Sequence, residues 1–150
     1  MSQVAFNCLS AATVLWVGTA PLRYIALVLS GIPLAEAWRN PRGASKLRPT
    51  DDLLQRCEAV HANAGEGLPL FIGAVLAAVA AGVPAAKIDE LAIRYVASRV
   101  AYTGVYLAST PKRKWLGPLR SVFFGIGFVG STMALFLAAA NKRGEQQQRK

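Results

Sequence analysis

The sequence has few charged residues, few cysteines and a single histidine, and each scarcity excludes a class of protein. Charged residues make up 17% of the 150 positions and apolar residues 53%, with a mean hydropathy of +0.34. That balance is too apolar for an ordinary soluble domain of this length. Two cysteines and one histidine indicate neither a disulfide framework nor a metal site.

Acidic residues are the scarcer charges, with 8 against 17 basic residues and a net charge of +9. A basic balance can indicate nucleic-acid binding, but these basic residues lie mainly in short segments between apolar runs. That placement is typical of membrane-protein loops and disfavours a nucleic-acid partner. The N-terminus lacks the positive region of a cleavable signal peptide, so we expect the first apolar run to be retained.

Four apolar stretches each approach the ~20 residues needed to cross the hydrocarbon core of a bilayer. They cover residues 9–34, 54–82, 88–109 and 119–140, and a polar tail over 141–150 is interpreted as a disordered end. The third stretch is the most polar. The sequence therefore predicts an all-α fold, a four-transmembrane-helix bundle that forms one membrane domain.

The loops between these stretches predict the orientation of the bundle. Loops one and three carry the clustered basic residues, which are Arg39, Arg42, Lys46, Arg48, Lys112, Arg113 and Lys114. The second loop holds one lysine and two acids, and the N-terminus has no charged side chain. By the positive-inside rule, loops one and three are cytoplasmic and both termini face outward, although the basic tail favours the opposite orientation.

Polar residues at the start of the second stretch share one helical face. Arg56, Asn63 and Glu66 fall within an arc of roughly 80° on a helical wheel. Polar groups on a membrane helix are costly unless they have partners, so we expect a neighbouring helix to supply them. Gly65 and Gly67 thin the helix beside Glu66 and permit close approach, and Gly125, Gly127 and Gly130 predict close packing of the last helix.

The third stretch carries a second polar arc, because Tyr95, Arg99, Tyr102 and Tyr106 fall within roughly 60°. Two interpretations remain open. The arc is either a structural seam in which Arg99 pairs with Glu66, or a polar cleft for a charged ligand.

Three further ionisable residues are interpreted individually. We expect Arg23, next to Pro21, to face the bundle and to pair with Glu66 or a freed backbone carbonyl. A packed, hydrogen-bonded His61 is favoured over a catalytic one. Arg120 at the start of the fourth stretch is either an interfacial snorkelling arginine or a stabiliser of an anion or thiolate.

Together these residues resemble the MAPEG superfamily, the membrane-associated proteins in eicosanoid and glutathione metabolism. The matching motifs are Arg56-Cys57, His61-x-Asn63-x-x-Glu66-x-x-Pro69-x-Phe71, Arg99-Val-Ala-Tyr102-Thr-x-x-Tyr106-Leu and Arg120-Ser121. The resemblance covers about residues 54–140, with the spacing and order of the spans both matching. The chain is similar to prokaryotic members, which implies a location in a bacterial inner membrane.

The resemblance implies a homotrimer that binds glutathione as a cosubstrate between subunits and receives lipophilic small molecules from the bilayer. The implied activity is that of a glutathione-dependent transferase or peroxidase acting on hydrophobic electrophiles. Arg120 would stabilise the thiolate, with Ser121 adjacent to the sulfur. The residues implied to bind glutathione are Arg56, Asn63, Glu66, Arg99, Tyr102 and Tyr106.

The chain also departs from the pattern of prostaglandin E synthase, a member of that superfamily. Ala62 replaces an arginine, Phe124 a tyrosine and Tyr102 a histidine, and Arg39 is only near a basic position expected at the end of the first span. The alternative function is therefore kept, namely a non-catalytic membrane scaffold or lipid-binding protein whose polar residues serve helix packing and trimer assembly.

Overall fold

The computed structural model describes residues 1–39, 52–113 and 115–149, and all of the regular structure in these ranges is helical. The prediction of an all-α bundle is confirmed. In chain order the helices are α1 (Gln3–Leu29), α2 (Leu34–Arg39), α3 (Asp52–Ala80), α4 (Ala85–Ala108), α5 (Leu116–Gly127), a π-helical segment (Phe128–Met133) and α6 (Ala134–Gln148). The last three are continuous, so the bundle consists of α1, α3, α4 and the α5–α6 segment.

The helices have membrane-spanning character. Within the described ranges, three are long and apolar enough to cross a bilayer, namely Gln3–Leu29, Asp52–Ala80 and Leu116–Gln148. The helix α4 is of similar length, but charged side chains recur along it at Lys87, Asp89, Glu90, Arg94 and Arg99. The chain is therefore an integral membrane protein, and its most polar long helix is the one that the sequence predicts.

Glycines end the two long helices α1 and α3. Gly31 and Gly82 have φ angles of 69° and 73°, a left-handed conformation that disfavours other residues. After α3, the N–H of Val83 donates to the carbonyl of Ala78 at 3.0 Å, which completes a Schellman motif. This cap satisfies helix-end carbonyls and turns the chain into α4.

The helices pack pairwise around two apolar cores. Helix α1 packs against α3 and α4, α3 also packs against α4 and α6, and α4 packs against α5. The larger core joins α1, α3, α4 and α6, and at its centre Phe71 stacks on Tyr95 with ring centroids 3.8 Å apart. A smaller core of Ala26, Leu27, Ile32, Leu54 and Cys57 joins the C-terminal end of α1 to the start of α3.

The prediction of a disordered tail over 141–150 is wrong as far as Gln148, because α6 continues to that residue. Its lysine, glutamate and glutamine residues are good helix formers that extend a helix already nucleated in the span.

The orientation prediction depends partly on residues that lie outside the described ranges, namely Arg42, Lys46, Arg48 and Lys114.

Candidate functional site

A line of aromatic and basic side chains on α4 faces the interior of the bundle. Tyr95, Arg99 and Tyr102 are only 3%, 5% and 6% exposed, and Tyr106 is half-buried. Because these positions recur every three or four residues, they share one face of the helix. The periodicity thus predicts correctly that this face avoids the lipid.

Arg99 is the centre of this line. Its Nη2 donates to the backbone carbonyl of Asn63 on α3 at 3.1 Å, and its Nε donates to the hydroxyl of Tyr95 at 3.4 Å. The guanidinium carbon lies 5.4, 5.6 and 5.4 Å from the ring centroids of Tyr95, Tyr102 and Phe124. These aromatic faces stabilise the cation electrostatically. Its buried Nη1 has no hydrogen-bond partner within the described part of the chain.

Arg99 does not pair with Glu66, so that prediction is wrong. No ion pair of Arg99 with an acid occurs among the described residues. The backbone carbonyl of Asn63 accepts from Arg99, while the Asn63 side-chain amide donates to the carbonyl of Ala59 on its own helix at 2.8 Å. Glu66 is exposed and lines a pocket against α1. A buried guanidinium without a carboxylate leaves a positive charge that an anionic ligand can neutralise.

Two glycines make room for Arg99. A Cβ at Gly67 would overlap the Arg99 guanidinium, and a Cβ at Gly127 would lie 2.5 Å from Ser98 Oγ and 3.7 Å from Arg99 Cδ. Close packing at Gly67 and Gly127 is therefore confirmed. Gly125 is different, since a Cβ there would meet nothing within 4 Å, and the packing prediction fails at that position.

A second guanidinium extends the line toward the C-terminal end of α4. The Arg120 side chain on α5 lies over Tyr106, with its guanidinium carbon 4.5 Å from the ring centroid. The Tyr106 ring is in turn 5.5 Å from that of Tyr102. Asn63, Arg99, Tyr102, Tyr106 and Arg120 therefore form a contiguous line within one chain, which we call the α4 cleft.

Two other predicted site residues do not join the α4 cleft. Arg56 forms an ion pair with Asp52 one turn earlier on α3, and its Nε is buried without a partner among the described residues. Ser121 is exposed, and its hydroxyl donates to the carbonyl of Gly117 at 3.5 Å. These contacts are local to their own helices.

His61 lies on a different face of α3, against α1. Its Nδ1 is 3.0 Å from Thr19 Oγ1, and its ring stacks on that of Trp16 with centroids 6.0 Å apart and planes 10° apart. The histidine is therefore packed and hydrogen-bonded, as the sequence analysis favours.

Arg23 also finds its partner on this face, but not the expected one. Its Nε lies 3.3 Å from Glu58 Oε1, and the two side chains are 15% and 18% exposed. The prediction of a pair with Glu66 is wrong, because Glu58 is two turns nearer the start of α3 and lies opposite Arg23 in the antiparallel packing. The pair satisfies a charge that would be expensive alone in a membrane helix.

One contributor to the α4 cleft could not be identified from the sequence. In the sequence, Phe124 is notable only because it replaces a tyrosine of the prostaglandin E synthase pattern. In the structure its ring faces Arg99 and lies 6.0 Å from the ring of Tyr102. The available signal is its position one helical turn after Arg120, which places both side chains on the same face of α5.

A buried cationic and aromatic cleft inside a bundle of membrane-length helices defines a class of integral membrane proteins with an intramembrane polar site. The chain belongs to the MAPEG family, whose model matches residues 4–140. Membership supports a membrane role in glutathione or eicosanoid metabolism in general. Searches of curated proteins and of solved structures found no match to the chain.

Proposed function

We propose that this protein is a glutathione-dependent transferase or peroxidase that acts on hydrophobic electrophiles from the bilayer. The observation that carries the proposal is the buried Arg99 guanidinium, which has a free Nη1 and no acidic partner among the described residues. Aromatic rings connect it to a second guanidinium, that of Arg120. Two fixed cations joined by phenols suit a ligand with several anionic groups.

Glutathione matches the α4 cleft in length and charge. It would have to lie along the outer side of the line of residues, because the enclosed space beside Arg99 is only about 10 Å³. From Arg99 to Tyr106 the helix axis rises by about 10 Å, and an extended tripeptide also spans about 10 Å. A glutathione carboxylate would bind the free Nη1 of Arg99, and Asn63 and Tyr102 would contact the peptide. This arrangement brings the thiol toward Tyr106 and Arg120.

Arg120 would supply the chemistry, because a nearby guanidinium lowers the pKa of a thiol and favours the nucleophilic thiolate. In the transferase reaction the thiolate forms a C–S bond and the leaving group departs with the bonding electron pair. In the peroxidase reaction the thiolate attacks a hydroperoxide oxygen, releasing an alcohol after protonation and a glutathione sulfenic acid. A second glutathione then condenses with the sulfenic acid to give the disulfide and water.

The predicted homotrimer remains part of the proposal. Arg56, Glu66 and Ser121 lie away from the α4 cleft within one chain. Adjoining subunits would have to bring them to the ligand, as expected for glutathione bound between subunits. A bacterial inner membrane with loops one and three cytoplasmic is proposed on the same basis.

Glutathione is expected to stabilise the purified protein in nonionic detergent. A ligand specific to the folded state at about 100 times its Kd adds about 2.7 kcal/mol to the free energy of unfolding. The measurement is the thermal unfolding midpoint over a glutathione titration, with triglycine as a control that shares the peptide length but lacks the thiol. A midpoint that responds equally to both peptides, or to neither, would favour the scaffold or lipid-binding alternative.

Alanine at Arg120 is expected to lower the thiolate fraction of bound glutathione at pH 7, since the nearby positive charge is lost. The measurement is the ultraviolet absorbance of the thiolate in the saturated complex, and Arg120→Lys should retain part of it. Arg113→Ala is the matched control, because Arg113 is an exposed arginine close to the start of α5. Unchanged thiolate absorbance in Arg120→Ala would remove Arg120 from the proposed mechanism.

A further inference from the structure

The hydrogen bonds of Thr19 determine which nitrogen of His61 carries the proton. The Thr19 hydroxyl has one proton, which it donates to the carbonyl of Trp16 at 2.6 Å. Toward His61 Nδ1, 3.0 Å away, Thr19 is therefore an acceptor, and Nδ1 is the protonated nitrogen. In the neutral ring, Nε2 then carries a lone pair available to a hydrogen-bond donor.

His61 lines a cavity of about 560 Å³ on the α1–α3 face, together with Trp16, Arg23, Glu58, Gly65 and Glu66. The Arg23 charge is balanced by Glu58. The Glu66 carboxylate is exposed and has neither a hydrogen bond nor an ion pair within the described residues, so it leaves the cavity with one net negative charge. Glu66 occupies the middle of a membrane-length helix, where an unpaired charge is costly.

The backbone adds another acceptor at Gly65. Pro69 has no N–H, so the carbonyl of Gly65 lacks the helical hydrogen bond that position 69 would ordinarily donate. Gly65 also lies directly against the Trp16 indole, since a Cβ there would be 2.8 Å from Nε1. The residues that line the cavity therefore include a carboxylate, an imidazole lone pair, a carbonyl without its helical hydrogen bond and an aromatic ring.

An apolar groove of about 400 Å³ adjoins this cavity and shares Trp16 and Gly65 with it. The groove is otherwise lined by Leu68, Pro69, Ile72 and Gly73. All four lie further along α3 than Glu66, the last α3 residue of the polar cavity. The polar cavity and the apolar groove therefore lie side by side, and we call the two together the amphipathic channel.

We propose that this channel binds a primary ammonium carried on a hydrocarbon chain. The ammonium has three N–H donors and a positive charge, which match the three acceptors and the net charge of the cavity. The Trp16 ring would add a cation–π contact, and the chain would occupy the apolar groove. The channel lies on the α1–α3 face but shares Glu66 with the proposed glutathione site, so glutathione is a competitor in the test.

Quenching of Trp16 fluorescence tests the proposal in the intact protein. The other two tryptophans, Trp38 and Trp115, are 72% and 69% exposed and can be replaced by phenylalanine to leave Trp16 as the only emitter. The probes are a bromoalkylamine and a bromoalkanol of equal chain length, because bromine quenches indole at short range. We expect saturable quenching, with the amine half-saturating at about a tenfold lower concentration than the alcohol.

Two substitutions identify the groups responsible. Glu66→Gln and His61→Phe should each bring the amine close to the affinity of the alcohol, whereas Glu145→Gln on α6 is the matched control and should change nothing. Equal quenching by both probes in the parent protein, or an amine preference that survives both substitutions, would overturn the proposal. The parent protein could show no preference for the amine while Glu66→Gln changes the oligomeric mass. That result would also overturn the proposal and would assign the amphipathic channel to contact with a second copy of the chain.

Glutathione also carries a primary ammonium and provides a separate arm of the test. Displacement of the bromoalkylamine by glutathione, lost in His61→Phe, would assign the cavity to the glutathione ammonium and overturn the hydrocarbon amine. No displacement while glutathione still raises the unfolding midpoint supports two independent sites. Amine binding without any response to glutathione supports the channel while contradicting the proposed activity.

Discussion

Methionine in place of Arg99 is expected to weaken glutathione binding strongly while leaving the fold as stable as before or more stable. The guanidinium is buried without an acid among the described residues, and replacing such a charge by an apolar side chain is often neutral or stabilising. The ligand loses a charged hydrogen bond of about 2–3 kcal/mol. That corresponds to a loss of affinity of about 30- to 150-fold.

Thermal unfolding in detergent, with and without glutathione, measures both effects at once. Arg94→Met is the matched control, because Arg94 lies on the same helix but is exposed and pairs with Glu90 at 2.5 Å. If the α4 cleft served only assembly, Arg99→Met would lower the thermal unfolding midpoint. Glutathione would then change the midpoint of neither the parent protein nor the variant. That outcome would support the scaffold and contradict the enzyme.

The sequence predicts the polar face of α4 well, because a helix fixes the angle between its own residues. Tyr95, Arg99, Tyr102 and Tyr106 follow a spacing of three and four, so any α-helix places them side by side. Their burial follows from the cost of exposing a guanidinium to lipid. No knowledge of the neighbouring helices is needed for this prediction.

The partners of these side chains are less predictable, since they depend on how each helix is rotated against its neighbours. Asn63 and Glu66 are only about 60° apart on a wheel of α3. Yet the backbone of Asn63 contacts Arg99 on α4, whereas the Glu66 side chain lines the pocket against α1. On a helical wheel both fall on one face, which is why the sequence predicts the wrong neighbour for Glu66. The pair of Arg23 with Glu58 escapes prediction for the same reason.

The π-helical segment is a second feature that periodicity does not reveal. Within it, the hydroxyls of Ser131 and Thr132 donate to the carbonyls of Ile126 and Gly127, five residues earlier, at 3.2 and 3.3 Å. Small and hydroxyl residues are the only local signal, and they also occur in ordinary membrane helices. Because Gly127 borders this segment, the wider turn lies beside Ser98 and the Arg99 stem.

The two faces of α3 have opposite electrostatic character. Toward α4 it offers only the backbone carbonyl of Asn63 to a buried cation, which leaves a cleft with positive charge. Toward α1 it offers the carboxylate of Glu66 and the lone pair of His61, which gives a cavity with negative charge. Gly65 lies on the α1 face and lets Trp16 pack on the helix backbone, and Gly67 lies on the α4 face and does the same for Arg99.

Alanine at Gly67 is expected to have the second large effect, because its Cβ would overlap the Arg99 guanidinium. Displacing that side chain from its contacts with Asn63 and Tyr95 should lower the free energy of unfolding by about 1–3 kcal/mol. It should also weaken glutathione binding as strongly as Arg99→Met does. Thermal unfolding and a glutathione titration check both.

Gly73→Ala on the same helix is the matched control. A Cβ at Gly73 would lie 3.8 Å from the ring of Phe136, an ordinary contact, so the substitution should stabilise α3 by up to about 1 kcal/mol. The decisive variant combines Gly67→Ala with Arg99→Met. If the overlap with the Arg99 guanidinium causes the loss of stability, Gly67→Ala should be nearly neutral in the Arg99→Met protein. The effects of the two substitutions on the free energy of unfolding would then not be additive. An unchanged penalty in the double variant would place the constraint on Tyr95, whose hydroxyl lies 3.2 Å from the same Cβ position.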